Sequence, residues 1–401
     1  MLTWLSLFPA TASAAPPIGQ PQLTRLDLFT PATQGRDLLL DGDIAYVAAG
    51  YDGLYILDVS DPPRSHVIAH LNLKEFGLPG YPLYTVTKHS DSVYCGFRTT
   101  TGYFDDGYLK VVNVANLLSR GATIKADGLH FNYRDQDLVG RVTGSFMDHA
   151  NERLYLALRL GGLAVIDVSD PDHLLQLSRY VPSTKYEFQE VVVLSEHNRA
   201  YVGGWVSGLL AIDTTNEQAQ DWRQLRLQTE GRGTRYWYLA TDGQYLYTPV
   251  ADSPSDNQFN EGLAVYDLAP NLADAKVPPK RIGFAAIPSG EQCESGPRGE
   301  QEGQRGSDPG PHQIVLRGHQ AWVANGCQGI AEFDISEPAH PRYVTQYKIP
   351  TANDSDAKRK TEYPWSLALK GNYLLSVGVS KPRQTGHDLM VFKLDRAMSS
   401  P

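Results

Sequence analysis

The chain has an excess of acidic over basic side chains, few cysteines and no long apolar run. Its 401 residues contain 36 Lys and Arg against 45 Asp and Glu, which gives a formal net charge of -9. A nucleic-acid-binding protein needs a basic face, so this balance argues against nucleic acid as a partner. Since no apolar stretch approaches the roughly 20 residues that span a bilayer, we expect no transmembrane segment.

Common catalytic and cofactor motifs are also absent from the sequence. It has no CxxC, HExxH, GxSxG or P-loop pattern, and the WD and kelch signatures of other repeat proteins are missing. We therefore expect no metal site and no bound cofactor. The motifs leave open whether the chain is an enzyme. Helical periodicity is weak throughout, which favours an all-β protein.

The first residues resemble an export signal. Leu2–Phe8 is a short apolar run, and Ala12–Ala14 has the small-x-small pattern of a signal-peptidase site. We expect residues 1–15 to be removed on export, which would place the protein in the periplasm, on the cell surface or outside the cell. The alternative interpretation is a disordered N-terminal tail. Residues 396–401 are expected to form a C-terminal tail.

One phrase recurs along the chain and predicts the fold. GLYILDVSDP (53–62), GGLAVIDVSDP (161–171) and GIAEFDISEP (329–338) each follow a strand of the AYV type, and four weaker copies bring the number of units to seven. The residues that close the third strand of each unit are Asp58, Asn113, Asp167, Asp213, Asp267, Asp334 and Lys393. A period of about 56 residues suits a four-stranded propeller blade. The sequence therefore predicts a seven-bladed β-propeller of antiparallel blades, with residues 20–395 as one domain.

The two ends of the repeated region predict how the ring closes. The seventh unit stops without a fourth strand, whereas PQLTRLDLF (21–29) resembles the fourth strands of the other units. We expect this N-terminal strand to complete the last blade, because such pairing removes two free sheet edges.

The recurring phrase itself is interpreted as part of the fold rather than as an active site. A short acidic side chain at the end of a strand accepts backbone N–H bonds and fixes a turn. The glycine that precedes each strand suits a positive φ or a close backbone approach. Calcium binding by the aspartates is the alternative interpretation.

The three strongest phrases, each preceded by an AYV-type strand, resemble the LVIVD repeat family of predicted bacterial and archaeal β-propellers. The resemblance covers nearly the whole chain and is strongest in units one, three and six. It departs from the family pattern where Asn113 and Lys393 replace the aspartate. The resemblance implies an exported or surface-associated propeller. It implies no catalytic residues, because propellers carry many unrelated activities.

Long connections fall on the face of the ring where the innermost strand of each blade begins, called the top face below. The residues that open the innermost strands are predicted to surround a central funnel: Arg36, Tyr84, Ser145, Glu190, Trp237, His312 and Trp365. We interpret all of these except Ser145 as ligand-binding residues for a small polar or sugar-like ligand. The alternative is a water-filled channel mouth without a dedicated ligand.

Two hypotheses for the function remain open at this point. The first is a monomeric, exported binding protein that engages a small polar ligand or an envelope protein at the top face. The second is an extracytoplasmic enzyme acting on a small polar or saccharide substrate, with Glu190 and His312 as a candidate acid–base pair.

The three cysteines are Cys95, Cys293 and Cys327. Cys293 and Cys327 both fall in top-face loops of the sixth unit, so we predict a disulfide between them. The alternative is two free thiols, with that of Cys293 reactive. Cys95 lies in a predicted strand and is expected to be a small buried residue.

Overall fold

The computed structural model describes residues 21–30, 34–99, 106–131, 140–181, 186–204, 208–215, 223–226, 236, 238–250, 261–288, 312–326, 329–349, 362–380 and 389–394. Within these ranges the strands form seven antiparallel sheets of four strands each, arranged as a β-propeller. The predicted fold class is therefore confirmed.

The strands follow the same order in successive blades. The first strand, β1 (Gln22–Leu26), belongs to the last blade. Blade one contains β2 (Asp37–Asp41), β3 (Ile44–Ala48), β4 (Leu54–Asp58) and β5 (His66–Leu71). Blade two contains β6 (Leu83–His89), β7 (Ser92–Arg98), β8 (Gly107–Asn113) and β9 (Thr123–Phe131). Blade three contains β10 (Gly144–Asp148), β11 (Arg153–Ala157), β12 (Leu163–Asp167) and β13 (Leu175–Tyr180). Blade four contains β14 (Phe188–Leu194), β15 (Arg199–Gly204), β16 (Gly208–Asp213) and β17 (Arg223–Arg226).

The remaining blades complete the ring. Blade five contains β18 (Ala240–Thr241), β19 (Tyr245–Val250), β20 (Gly262–Asp267) and β21 (Lys280–Ala286). Blade six contains β22 (Ile314–Arg317), β23 (Gln320–Ala324), β24 (Ile330–Asp334) and β25 (Arg342–Tyr347). Blade seven contains β26 (Glu362–Lys370), β27 (Tyr373–Ser380) and β28 (Leu389–Lys393) together with β1. Two short helices, α1 (Leu117–Arg120) and α2 (Ala269–Ala273), follow third strands, and no helix of the described residues has the length and apolarity to cross a membrane.

The hydrophobic core lies between the blades rather than within them. Buried Ile56 of blade one packs in the same cluster as Val86 and Cys95 of blade two. Similar clusters join each described blade to the next around the ring. Because the middle strands are covered on both faces, they are almost continuously apolar and do not alternate. Cys95 is completely buried, as expected, and this burial raises the pKa of its thiol.

The N-terminal strand closes the ring. Strand β1 pairs antiparallel with β28, with Gln22 opposite Lys393 and Leu26 opposite Leu389. This pairing confirms the predicted closure.

The acidic residues of the repeated phrase fix turns, as predicted. Asp58 Oδ1 accepts hydrogen bonds from the Ser60 backbone N–H at 2.8 Å and from its hydroxyl at 2.6 Å. Asp167 makes the same two contacts with Ser169 at 2.9 and 2.7 Å. The bond from the serine hydroxyl contributes most to holding the pKa of each aspartate below its ordinary value.

The glycines of the phrase are required by a close backbone approach. Gly53, Gly162 and Gly329 have φ angles of +88°, +83° and +99°. A Cβ at Gly162 would lie 1.9 Å from the backbone oxygen of Tyr180, the last residue of the fourth strand. At the other two glycines the corresponding distance to a fourth-strand oxygen is 2.1 Å. The third and fourth strands of these blades can therefore pair at this end only if the residue has no side chain.

We predict that Gly162→Ala lowers the free energy of unfolding by about 3 kcal/mol, because it combines an unfavourable φ with overpacking against the Tyr180 oxygen. Gly243→Ala is the matched control: its φ is +93°, but nothing lies within 4 Å of the added Cβ. The control should lose only about 1–2 kcal/mol. Urea denaturation followed by circular dichroism would compare them, and equal losses would contradict the role of the close approach.

Candidate functional site

The innermost strands bring the predicted funnel residues to one end of the ring. Arg36 directly precedes β2, His312 lies two residues before β22, and Ser145 is the second residue of β10. Tyr84 and Trp365 lie inside β6 and β26 at points where the pairing register shifts, so that each is skipped by its partner strand. A β-bulge re-aims the side chain of the extra residue. Trp237 lies outside the described residues, and its neighbour Tyr238 makes the contacts described below.

Four of these side chains pack together with Tyr238. This aromatic–cation cluster is defined here as Arg36, Tyr84, Tyr238, His312 and Trp365. The Arg36 guanidinium carbon lies 4.7 Å from the Trp365 ring centroid and 5.0 Å from that of Tyr84. The rings of His312 and Trp365 stack at 3.9 Å with an interplanar angle of 21°. Trp365 Nε1 donates a hydrogen bond of 2.8 Å to the Tyr238 hydroxyl. The cluster therefore joins blades one, two, five, six and seven.

The cluster combines buried rings with half-buried polar groups. His312 is 0% exposed, Trp365 8% and Tyr84 9%. Arg36 and Tyr238 are half-buried. Burial raises the pKa of Tyr238 well above its ordinary value, and the carboxyl groups of Glu190 and Asp37 add to this effect. The phenol is therefore neutral at physiological pH and accepts the bond from Trp365.

A second set of cations surrounds Tyr84. The Arg98 guanidinium carbon lies 3.2 Å from the Tyr84 ring centroid. Burial lowers the pKa of Arg98 to about 10, with further lowering from Arg36, Arg141 and Arg159. For Tyr84, burial alone would raise the pKa, but the charges of the arginines outweigh it and leave the pKa below its ordinary value.

Sequence reasoning did not identify Arg98, Arg141 or Arg159 as site residues. Arg98 ends β7, Arg141 lies just before β10, and Arg159 follows β11. Each is therefore at the top-face end of its strand. Their positions relative to the AYV-type strands are a signal that could have found them once the strand directions were assigned.

A chain of hydrogen bonds links the innermost strands below the cluster. Asp37 Oδ2 accepts from the Thr85 hydroxyl and the Val86 N–H, both at 3.0 Å. The hydroxyls of Thr85 and Ser145 are 2.7 Å apart. Because the Thr85 proton is already donated to Asp37, Ser145 must donate to Thr85. Blades one, two and three are joined by this chain.

The same hydrogen-bond chain also runs from Asp37 towards blades seven and six. Gln313 Oε1 accepts a hydrogen bond of 2.6 Å from the Ser366 hydroxyl and another from the Leu367 N–H. The Ser366 oxygen is also 3.4 Å from Asp37 Oδ1. The N–H of Leu367 fixes the orientation of the Gln313 amide, because only an oxygen can accept it. The chain therefore extends through blades seven and six.

Glu190 acts electrostatically on Tyr238 of the aromatic–cation cluster, but its hydrogen bond is to its own strand. Its Oε1 accepts a 3.0 Å hydrogen bond from the Val191 N–H. Burial raises the pKa of this carboxyl well above its ordinary value, and the charge of Asp37 raises it further. A Cβ at Gly144 would lie 2.5 Å from the Gln189 backbone oxygen and 2.7 Å from Glu190 Oε1, so a glycine is needed beside this part of β14. No hydrogen bond joins Glu190 to His312, the other member of the candidate acid–base pair.

Cys293 and Cys327 lie outside the described residues, so their pairing stays a prediction.

Comparison with known proteins supports the repeat and the fold. The family model for the LVIVD repeat matches residues 34–73, 153–181 and 312–349. These segments fall in blades one, three and six, which confirms the resemblance where the sequence carries it most strongly. No curated protein sequence matches the chain.

Solved structures resemble the chain at the level of the fold. The structure of U3-55K has a TM-score of 0.62 at 12% identity and covers 94% of this chain and 100% of its own. The WD40 repeats of RRP9 give 0.63 at 12% identity, with 94% and 99% covered. A chain of the mitotic checkpoint complex gives 0.57 at 12% identity, with 98% and 99% covered. Identities this low show a shared fold alone.

We predict that Thr85→Val lowers the free energy of unfolding by about 1–3 kcal/mol, because Asp37 loses a donor and Ser145 loses its acceptor. Thr87→Val is the matched control on the same strand. Thr87 is also buried, and its hydroxyl has no hydrogen bond among the described residues. The control should be within about 0.5 kcal/mol of wild type. Denaturant unfolding of both variants provides the comparison, and equal losses would contradict the hydrogen-bond chain.

We predict that Glu190→Gln stabilises the protein at pH 8 but not at pH 4. The pKa of Glu190 is raised in the folded state, so its stability contribution is present below the ordinary pKa of about 4.3 and is lost as pH rises through the folded pKa. Glutamine stays neutral and still accepts the Val191 N–H. Unfolding free energies of both proteins at the two pH values test this. A variant that is less stable than wild type at pH 8 would show that the carboxylate is favoured in the fold.

Proposed function

We propose that this propeller, whose blades one, three and six carry LVIVD repeats, is a non-catalytic protein that binds a small ligand at the centre of its top face. The observation that carries the proposal is the aromatic–cation cluster. Side chains of different types from five blades meet there, around Arg36 and Trp365. Binding sites for small molecules are typically built in this way, from apolar rings and a few placed polar groups.

The chemistry of the cluster favours a ligand with a planar ring or a sugar face. The Trp365 ring, backed by the fully buried His312, supplies the apolar surface, and the half-buried Arg36 and Tyr238 supply polar groups at its edge. Tyr238 remains able to donate its hydroxyl proton, because it accepts rather than donates in its contact with Trp365.

Binding is preferred to catalysis because of the position of Glu190. A general base must lie within hydrogen-bond reach of its partner or substrate proton. Glu190 instead accepts the Val191 N–H and has no hydrogen bond to His312. The two residues of the candidate acid–base pair are therefore not joined by a hydrogen bond in this structure.

Export forms part of the same proposal. It is supported by the apolar run and the Ala12–Ala14 pattern of the N-terminus. The mass of the protein recovered from its producing cells tests this, since cleavage after residue 14 or 15 shortens the chain and an uncleaved N-terminus contradicts the proposal.

The binding function is tested by thermal unfolding of the mature protein against neutral monosaccharides, nucleosides and small aromatic metabolites. A ligand at about 100 times its Kd adds roughly 2.7 kcal/mol of stability. We expect at least one compound to stabilise wild type, and the Arg36→Ala/His312→Ala double variant to lose the effect. Trp365→Phe, which keeps a ring against His312 but removes the Nε1 donor, should weaken it.

Arg64→Ala is the control for this experiment, because Arg64 is exposed and contacts only Asp61 at the end of a turn. It should respond to the ligand as wild type does. Melting temperatures of the ligand-free variants show whether each one folds. A stabilisation that the double variant retains, or a panel without any effect on wild type, argues against the proposed site.

A further inference from the structure

Four arginines of blades one, two and three interact electrostatically at the top face. Arg98 is influenced by the charges of Arg36, Arg141 and Arg159. Arg36 and Arg98 also approach the same ring, with guanidinium carbons 5.0 and 3.2 Å from the Tyr84 centroid. Such a concentration of like charge is unfavourable unless opposite charge is supplied nearby.

The described part of the chain supplies little of that charge. Arg159 Nη2 donates to Glu187 Oε1 at 2.9 Å. Arg36 Nη2 donates to the neutral amide of Gln34 at 2.7 Å, and no carboxylate of the described residues forms an ion pair with Arg36 or Arg98. Asp37 and Glu190, on the innermost strands, are half-buried residues whose carboxyl groups are desolvated, and this disfavours their charged forms. The site is therefore locally cationic in a chain whose net charge is -9.

Two arginine N–H donors in this region have no hydrogen-bond partner among the described residues. The Nε atoms of Arg36 and Arg98 are buried and have no hydrogen-bond acceptor among the described residues. A buried donor without an acceptor is destabilising, so a ligand that supplies the acceptor is favoured. Guanidinium groups present paired N–H donors in the geometry that carboxylate and phosphate oxygens accept.

From these contacts we infer that the ligand of the top face carries an anionic oxygen group, a carboxylate or a phosphate, that binds between Arg36 and Arg98. This inference rests on the proposed binding function and names the chemical class of its ligand. Arg36 also packs against Trp365, which stacks on His312. An anion held by Arg36 therefore lies beside the Trp365 ring, and the ligand class that satisfies both features is a planar ring bearing an anionic substituent.

Three probes with the same ring test this inference: benzoate, phenyl phosphate and the neutral benzamide. Thermal unfolding and calorimetric titration of the mature protein would be measured with each probe at low salt. We expect benzoate, phenyl phosphate or both to bind at least tenfold more tightly than benzamide. The anion that binds more tightly shows whether the site prefers a carboxylate or a phosphate. Binding should weaken as salt is added, because ions screen the arginine charges.

Variants test whether the anion binds between Arg36 and Arg98. Arg98→Gln and Arg36→Gln should each weaken anion binding at least tenfold, and Arg64→Gln, which removes the same charge from an exposed turn, should leave it unchanged. Arg98→Lys keeps the charge without the paired donors, and should bind the anion more weakly than wild type but more tightly than Arg98→Gln. It also keeps the test valid if Arg98→Gln fails to fold.

The outcomes separate this inference from the proposed function. Equal binding of benzoate and benzamide, or anion binding that Arg98→Gln and Arg36→Gln both retain, overturns the anionic class. Absence of binding by all three probes also overturns it. If a neutral compound of the earlier panel still binds and depends on Arg36 and His312, the proposed function stands without the anionic ligand; if no compound binds, both are wrong.

Discussion

The pairing of β1 with β28 is the constraint on which the centre of the molecule depends. It completes blade seven and so holds that blade against blade one. At the same seam the Gly35 N–H donates to the Gly378 oxygen at 2.8 Å, directly before β2 begins. Arg36 then meets Trp365, and Asp37 approaches Ser366. These contacts join residues more than 300 positions apart, so the candidate site exists only in the closed ring.

Closure also explains why charges of both signs can be kept at the axis. The seven innermost strands begin around one small space, and the groups there are largely removed from water. For Asp37 this desolvation is opposed by hydrogen bonds from Thr85, Val86 and Leu38, whereas Glu190 has one, from Val191. Burial and the charges of the neighbouring arginines disfavour the charge of Arg98. The guanidinium groups of Arg36 and Arg98 lie against the Tyr84 ring. The Asp37 carboxyl is thus satisfied within the protein, whereas Arg36 and Arg98 have no carboxylate partner among the described residues.

The sequence was sufficient to predict the repeated part of the fold. Blades one, three and six share apolar strands, a glycine at the close approach of the third and fourth strands and a turn-fixing aspartate, so Gly162 and Asp167 could be recognised by comparison with other blades. The centre was only partly predictable. Arg36, Tyr84, His312 and Trp365 do meet, and Tyr238, which sequence reasoning did not name, joins them. Trp237 lies outside the described residues, so its place stays a prediction. Bulges in β6, β14 and β26 shift the register by one residue, and nothing in the strand pattern specifies a bulge.

The outer strands of the blades repeat their contacts, whereas the residues at the axis do not, and this difference has a physical cause. Away from the axis, equivalent positions repeat their contacts: Tyr55 stacks on His70 in blade one and Tyr108 on His130 in blade two, both at 4.0 Å. Each of those pairs joins the third and fourth strands of its own blade. The residues that open the innermost strands instead share one space, so they must complement one another, and repeating one residue seven times would place like groups together. Their diversity is therefore what packing around one shared space requires, which is why the centre differs from blade to blade while the outer strands repeat.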